Sequence, residues 1–264
     1  MKTTLAMTIE MKENVKIERM SWRELEGKIE DGKDTVVIVM GSFEQHGPHL
    51  PLYTDTYISD ELGERIAKKL DYALMGPTIP FGVSQHHMDF SGTVSLSNEN
   101  FIELVKEHCR AFDEHGFEFV ALVPFHGGNF APTKTAAPEI AEEMENAKII
   151  TVADLEKNTE VMLESFKKAG IDYEERPIHS GATETSIMLA IDEELVKRDG
   201  MEKGYEGEVK ESALFTNGLR HFTENGVLGD PRKASMKAGK MMLKDLSDHL
   251  AKRVDEKRSA LIEG

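Results

Sequence analysis

The sequence predicts an α/β fold: three layers, α/β/α, around a largely parallel central sheet, with the functional loops at the carboxyl ends of the strands. Three observations predict it. Short β-branched runs alternate with longer segments of helical spacing. The runs are apolar without interruption, which suits strands buried on both faces. Polar clusters rich in His follow the runs directly, and in open sheets of this kind ligands bind beyond the carboxyl ends of the strands.

The run TVVIVM at 35–40 reads as the first strand, and GSFEQHGPHLPLYTD follows it at once. Residues 56–70 carry apolar positions at helical spacing, and ALMGPTIPF at 73–81 returns as a strand running into a loop of His and Ser. The next helix spans about 98–115, stopped by Gly116. The strand EFVALVPF at 118–125 then leads into the loop HGGNFAP and a helix from about 133. The strand AKIITVAD ends near Asp154, a helix runs over about 156–169, and the loop IDYEERPIHSG precedes the helix-like TETSIMLAIDEELVKR. GVLGDPRKAS opens onto a long C-terminal helix to about 258. No repeat and no Pro/Gly/Ser-rich divider interrupts residues 1–264, so one domain is expected.

Composition excludes some functions. No apolar run approaches the roughly 18 residues that span a bilayer. The N-terminal stretch MKTTLAMTIEMKENVKIERM lacks the continuous apolar core and cleavage site of a signal peptide, so no membrane association and cytoplasmic residence are expected. A formal net charge of −16 repels polyanions and argues against a nucleic-acid partner. The single cysteine, Cys109, can form no internal disulfide and reads as an inert residue of the helix ENFIELVKEHCRAFDEHG.

The chemistry concentrates in a few loops. Glu44 and His46 are two apart, so in an extended segment they point to the same side, and Asp55 arrives after a loop punctuated by proline. Two carboxylates and an imidazole suit Zn²⁺, Mn²⁺ or Fe²⁺, and a carboxylate can bridge two ions, which makes Asp55 the candidate bridge. The plainer reading is a loop of water-satisfied polar residues. His126 opens HGGN just after a strand. There Gly127 and Gly128 permit close backbone approach or positive φ, and Asn129 can donate to an oxygen or fix the turn. HGGN can equally be a tight turn before a helix.

In HSGATETS, Glu184 falls in the first turn of a helix, where an acidic side chain is favoured electrostatically. Its other reading is a ligand or general base, with His179 holding substrate or shuttling a proton. His86 and His87 in FGVSQHHMDFSGT, with Ser84 and Ser91 nearby, face the same sheet edge and are candidates to line a pocket, although paired loop histidines are ordinarily solvated. In GDPR, Asp230 and Arg232 either grip an anionic substrate group or, with Pro231 at the first helical position, cap a helix.

Taken together, GSFEQHGPHLPLYTD, FSGTVSL, FHGGN, HSGATETS and GDPR, in this order, resemble the creatininase (creatinine amidohydrolase) family over most of residues 36–235. The resemblance implies two divalent ions (Zn, Mn or Fe) held by Glu44, His46, Asp55 and His126. Asp55 would bridge them, with Glu44 and His126 on one ion and His46 on the other. It further implies a hydroxide between the ions as nucleophile on an amide carbonyl, a small-molecule amide substrate, and a homo-oligomer, usually a hexamer. Gly127 and Gly128 stand where an aromatic and a glutamate ligand follow the histidine in creatininase, a gap that Glu184 is placed to fill. His179 matches the histidine that handles substrate and protons.

The only tryptophan, Trp22, precedes the first strand, so the tryptophans that enclose creatinine have no counterpart near His179. The HGGN version looks more like branches that include an archaeal formamide deformylase of flavin and deazaflavin biosynthesis and a peptidase of mycofactocin maturation. The expectation is hydrolysis of a non-peptide or cyclic amide or formamide C–N bond, with His86, His87, Gly127, Gly128, Asn129 and His179 on the substrate side. Creatinine, peptide or phosphoester hydrolysis and a non-catalytic, metal-stabilised protein are the alternatives.

Overall fold

Strand β1 (Thr35–Met40) is buried along its whole length, as its run of β-branched residues requires. With β2 (Ala73–Met75), β3 (Phe119–Pro124) and β4 (Lys148–Thr151) it forms a sheet of order β2-β1-β3-β4, in which every pairing is parallel. The computed structural model describes residues 14–176 and 178–263, so the reading of residues 1–13 lies outside the described residues.

The period of two along β1 sorts the core into two layers. Val36, Ile38 and Met40 face a layer with Phe101, Val105 and Cys109 of α3 (Asn98–Glu114) and Ala136 and Ile140 of α4 (Gly127–Glu143). Val37 and Val39 face the opposite layer, built from α2 (Thr54–Lys69), α5 (Leu155–Ala169), α6 (Ala182–Ile191) and the C-terminal helix Met236–Glu263. This is the expected α/β/α sandwich. Helix α6 is buried on all sides, which explains why ATETSIML carries no polar face.

Several boundaries differ from expectation, each for a local reason. Helix α1 (Trp22–Glu30) forms ahead of β1, started by a capping box in which Ser21 and Glu24 satisfy each other's backbone N–H. β2 is only three residues long, because Gly76 and Pro77 follow it and proline cannot donate to the ladder. α4 begins at Gly127 rather than near 133 and keeps Pro132 and Pro138 inside it, with Phe130, Pro132 and Ala136 buried. α6 stops at Ile191, where Asp192 turns extended and its carboxylate caps a 3₁₀ turn by accepting from Glu194 N–H. The C-terminal helix runs on to Glu263. Among the described residues no helix is long and apolar enough to cross a membrane.

The strand order positions everything that follows. The chain leaves β1 toward β2 on one side and reaches β3 on the other, so the connections diverge between β1 and β3, which is where such sheets place their ligands. Gly41 ends β1 against α2. A Cβ there would lie 2.6 Å from Thr56 Cα, so only glycine lets the first turn of α2 come this close to the strand end.

Candidate metal centre

Beyond the end of β1 the chain turns back on itself, closed by Glu44 N–H donating to Leu52 O at 2.8 Å. That loop delivers Glu44 and His46, and the first turn of α2 delivers Asp55. His126 stands at the N-cap position of α4, immediately after β3. All are buried, Glu44 and His46 completely.

Asp55 sits between the two histidines. Its Oδ1 lies 3.2 Å from His46 Nε2, while its Oδ2 accepts from Ser42 Oγ and His126 Nδ1, both at 2.9 Å. Glu44 Oε2 is 3.3 Å from His126 Nε2. Two donor sets therefore share Asp55: Glu44, Asp55 and His126 on one side, and His46, Asp55 and Glu184 on the other, each with its ligand atoms within 4.8 Å of one another. Glu184, in the first turn of α6, accepts from Ser180 N–H at 2.6 Å and lies 3.6 Å from His46 Nε2. It is thus both a helix-end acceptor and a member of the cluster. A third set, Glu44, His46 and His179, is equally close.

Electrostatics show what these groups lack. Burial alone would push the carboxyl groups up and the imidazoles down. It does push the Glu44 carboxyl up, and it raises Glu184 to about 7. For His46 burial is outweighed by Asp55, Glu184 and Glu44, which raise it to about 10, and for His126 by Glu44 and Asp55, which raise it to about 9. The carboxylates thus draw positive charge into the cavity as protons. Both oxygens of Glu44 and Nε2 of His46 are buried without a hydrogen-bond partner, a costly state for a carboxylate. Divalent cations in the two donor sets would satisfy these atoms, so the residues fit them. His46 Nδ1 donates to the Glu44 carbonyl at 3.2 Å, which turns Nε2 toward Asp55, as outer hydrogen bonds commonly orient metal-binding histidines.

Other predicted residues divide. His86 and His87 are not solvated: both are buried on a 3₁₀ turn, with His87 Nε2 3.3 Å from Glu44 Oε1. Burial holds His86 down to about 3 and His87 well below the usual range. Ser84 reaches the cluster, 3.3 Å from His126 Nε2, whereas Ser91 is exposed. His179 packs between the rings of His46 and His87, at 4.6 and 4.4 Å, and burial keeps it neutral.

Gly127 faces open space, but Gly128 is pressed against the loop after β2: a Cβ would meet Val83 O at 1.9 Å and His126 Nε2 at 2.8 Å. Its φ is not positive, so close approach is what demands glycine. Asn129 is committed to backbone, donating to Gly41 O at 2.9 Å and accepting from Val83 N–H at 3.0 Å, and so ties two loops together instead of facing a substrate. Asp230 caps its 3₁₀ turn and pairs through both oxygens with Arg232, at 2.7 and 2.9 Å, which leaves that guanidinium no anion to seek. Trp22 is 68% exposed on the first helix. The Cys109 thiol is pushed up to about 12 by burial, which makes it inert.

Three residues escaped the sequence reading. Ser42 holds Asp55, Gln45 touches His87 and His179, and His49 Nε2 meets Thr185 Oγ1 at 2.9 Å, joining the first loop to α6. All lie in or next to the motif already singled out. The available signal was its density of polar residues directly after a fully buried strand, where each must find a partner.

Fold and cluster together define a class: a parallel α/β protein with a buried carboxylate–histidine site for divalent cations at the divergence of its strands. Residues 18–254 match the family profile described as creatininase, creatinine amidohydrolase. A mycofactocin precursor peptide peptidase of Mycobacterium ulcerans (strain Agy99) is 30% identical over 230 residues, 83% of this chain and 84% of that protein. A creatinine amidohydrolase of Pseudomonas putida is 22% identical over 245 residues, 88% of this chain and 93% of that protein. A solved structure described as "Creatininase Mn" superposes with a TM-score of 0.75 at 22% identity, covering 93% of this chain and 99% of that one. This chain belongs to the creatininase family, a family of metal-dependent amidohydrolases.

Proposed function

We propose that this protein hydrolyses a non-peptide C–N bond, a formamide or a cyclic amide, at a centre of two divalent cations. Glu44, Asp55 and His126 would hold one cation, and Asp55 and His46 the other, with Glu184 within reach of the second. The observation that carries this reading is the Glu44 carboxylate, buried and without a hydrogen-bond partner beside two histidines that share Asp55. Divalent cations in such a site supply Lewis acidity toward a carbonyl oxygen and bring a water to ionise near neutral pH.

The chain's own residues do the rest. Ser42 and the two histidines hold both oxygens of Asp55 in place. The buried rings of His86, His87 and His179 crowd bulk water away from the carboxylates. The departing nitrogen needs a proton, and Glu184 and His179 are the groups placed to handle it, a role typically worth about 10² to 10⁴-fold. Full turnover in both the His179→Ala and the Glu184→Ala variants, with metal bound, would sink that role.

Creatinine is not the expected substrate, because the single tryptophan lies exposed on the first helix, away from His179. A second reading, cleavage of a peptide, is favoured by the 30% identity to the mycofactocin precursor peptide peptidase. Cytoplasmic residence in a homo-oligomer goes with either. The test is to load the purified chain with Mn²⁺, Zn²⁺ or Fe²⁺ and assay formamides, cyclic amides, short peptides and phosphoesters. Glu44→Ala and His126→Ala are expected to lose bound metal as well as activity, since each removes a donor. Elemental analysis showing full metal in both variants would refute the assignment.

A further inference from the structure

Gln45 lies between Glu44 and His46 in the chain, and its buried carboxamide has every atom engaged. Oε1 accepts from Gly47 N–H at 3.0 Å, and Nε2 donates to Gly226 O at 3.1 Å. These two backbone contacts settle which end of the amide is which. A flip would set an NH₂ against an N–H and an oxygen against a carbonyl oxygen. Nε2 must therefore be the atom that faces two rings: His179 Nε2 at 2.8 Å and His87 Nδ1 at 3.1 Å.

An amide NH₂ donates and does not accept. Both ring nitrogens facing it must be bare, sharing the hydrogen that Gly226 leaves free. Each ring then carries its proton on the far nitrogen, on the side where Glu44 lies. His87 Nε2 is 3.3 Å, and His179 Nδ1 3.8 Å, from Glu44 Oε1.

We propose that Gln45 is a positioning residue that fixes the tautomers of His179 and His87, with His179 protonated on Nδ1 and His87 on Nε2. The two Glu44 oxygens are left without a hydrogen-bond partner, free to meet a cation. The tautomer assignment does not depend on the amidohydrolase reading.

The assignment is tested on the metal-free full chain, labelled with ¹⁵N in histidine, by long-range ¹H–¹⁵N correlation of the ring nitrogens. His179→Asn and His87→Asn identify the two signals. The wild type is expected to show His179 protonated on Nδ1 and His87 on Nε2. Gln45→Met, which keeps length and removes the donor, is expected to release His179 toward the Nε2–H form. In Gln45→Glu the acceptor oxygen should draw the proton to Nε2 outright. A wild-type His179 protonated on Nε2 overturns the proposal even if neither variant folds, and so does a folded Gln45→Met protein in which His179 stays on Nδ1. Because the readout needs neither metal nor substrate, failure to find an amidase activity leaves it standing, and its own failure leaves the amidase reading standing.

Discussion

Gly128 is fixed by close approach: the carbonyl of Val83 occupies the space a Cβ would need, 1.9 Å away. The loop after β2 fills the position of a side chain, and Asn129 holds it there through Val83 N–H. Gly128→Ala is therefore expected to cost about 1–3 kcal/mol, the usual penalty for overpacking. It should also displace the His126 ring, 2.8 Å from the new methyl group, and lower metal content. Urea unfolding and elemental analysis measure both. An alanine variant with wild-type stability and full metal would mean that the Val83 loop simply yields.

At the scale of elements, the site depends on how loops are pinned, and the same device recurs away from it. Asp113, in the last turn of α3, accepts from the N–H groups of Glu145, Asn146 and Ala147 and so anchors the turn that leads into β4. Burial would raise its carboxyl, but the three backbone donors outweigh burial and hold it below the usual carboxylate value. A carboxyl lowered in the folded state stabilises most above its unfolded value, about 3.9, and loses that contribution as pH falls through the folded value. Asp113→Asn keeps the shape but weakens the acceptor, and should cost about 1–3 kcal/mol at pH 7. The gap between variant and wild type should narrow as the pH is lowered from 5 toward 2, followed by urea midpoints. A gap of constant size across that range would count against this account.

For the whole molecule, the cluster joins the ends of β1 and β3, the first turn of α2 and the start of α6, which belong to different parts of the sandwich. Without a cation, the carboxylates of this junction raise His46 to about 10 and His126 to about 9, while burial raises the carboxyls of Glu44 and Glu184 themselves. A cation that binds the folded chain and not the unfolded one stabilises by mass action, about 2.7 kcal/mol at a free concentration one hundred times Kd. Adding Mn²⁺ or Zn²⁺ is expected to raise the melting temperature, and EDTA to reverse the rise. A melting temperature indifferent to both would argue that no cation binds. Because the two histidines must lose their protons to bind, the rise should be larger at pH 8 than at pH 6.

The sequence by itself determined the alternation of strands and helices, the parallel sheet, and the loops that carry chemistry, because burial on two faces and helical periodicity are written in local patterns. Glu44, His46, Asp55 and His126 stood out because donor types gathered in two loops after predicted strands; spacing alone weighed evenly with an ordinary polar loop, and the structure brings the four side chains together. Tertiary structure alone decided the rest. His86 and His87 read as pocket-lining residues or as solvated ones, and only the packing of the loop after β2 buries them, His87 beside Glu44 and His86 against Phe215. For Asn129 the sequence left a substrate contact and a turn-fixing role open, and for Arg232 an anion contact and a helix cap; only the backbone and carboxylate that meet them show which holds. Gln45 has no local signal for its place, since its partners lie 42, 134 and 181 residues along the chain. A hydrogen bond depends on distance in space, and periodicity records only which face a residue occupies, not what it meets there.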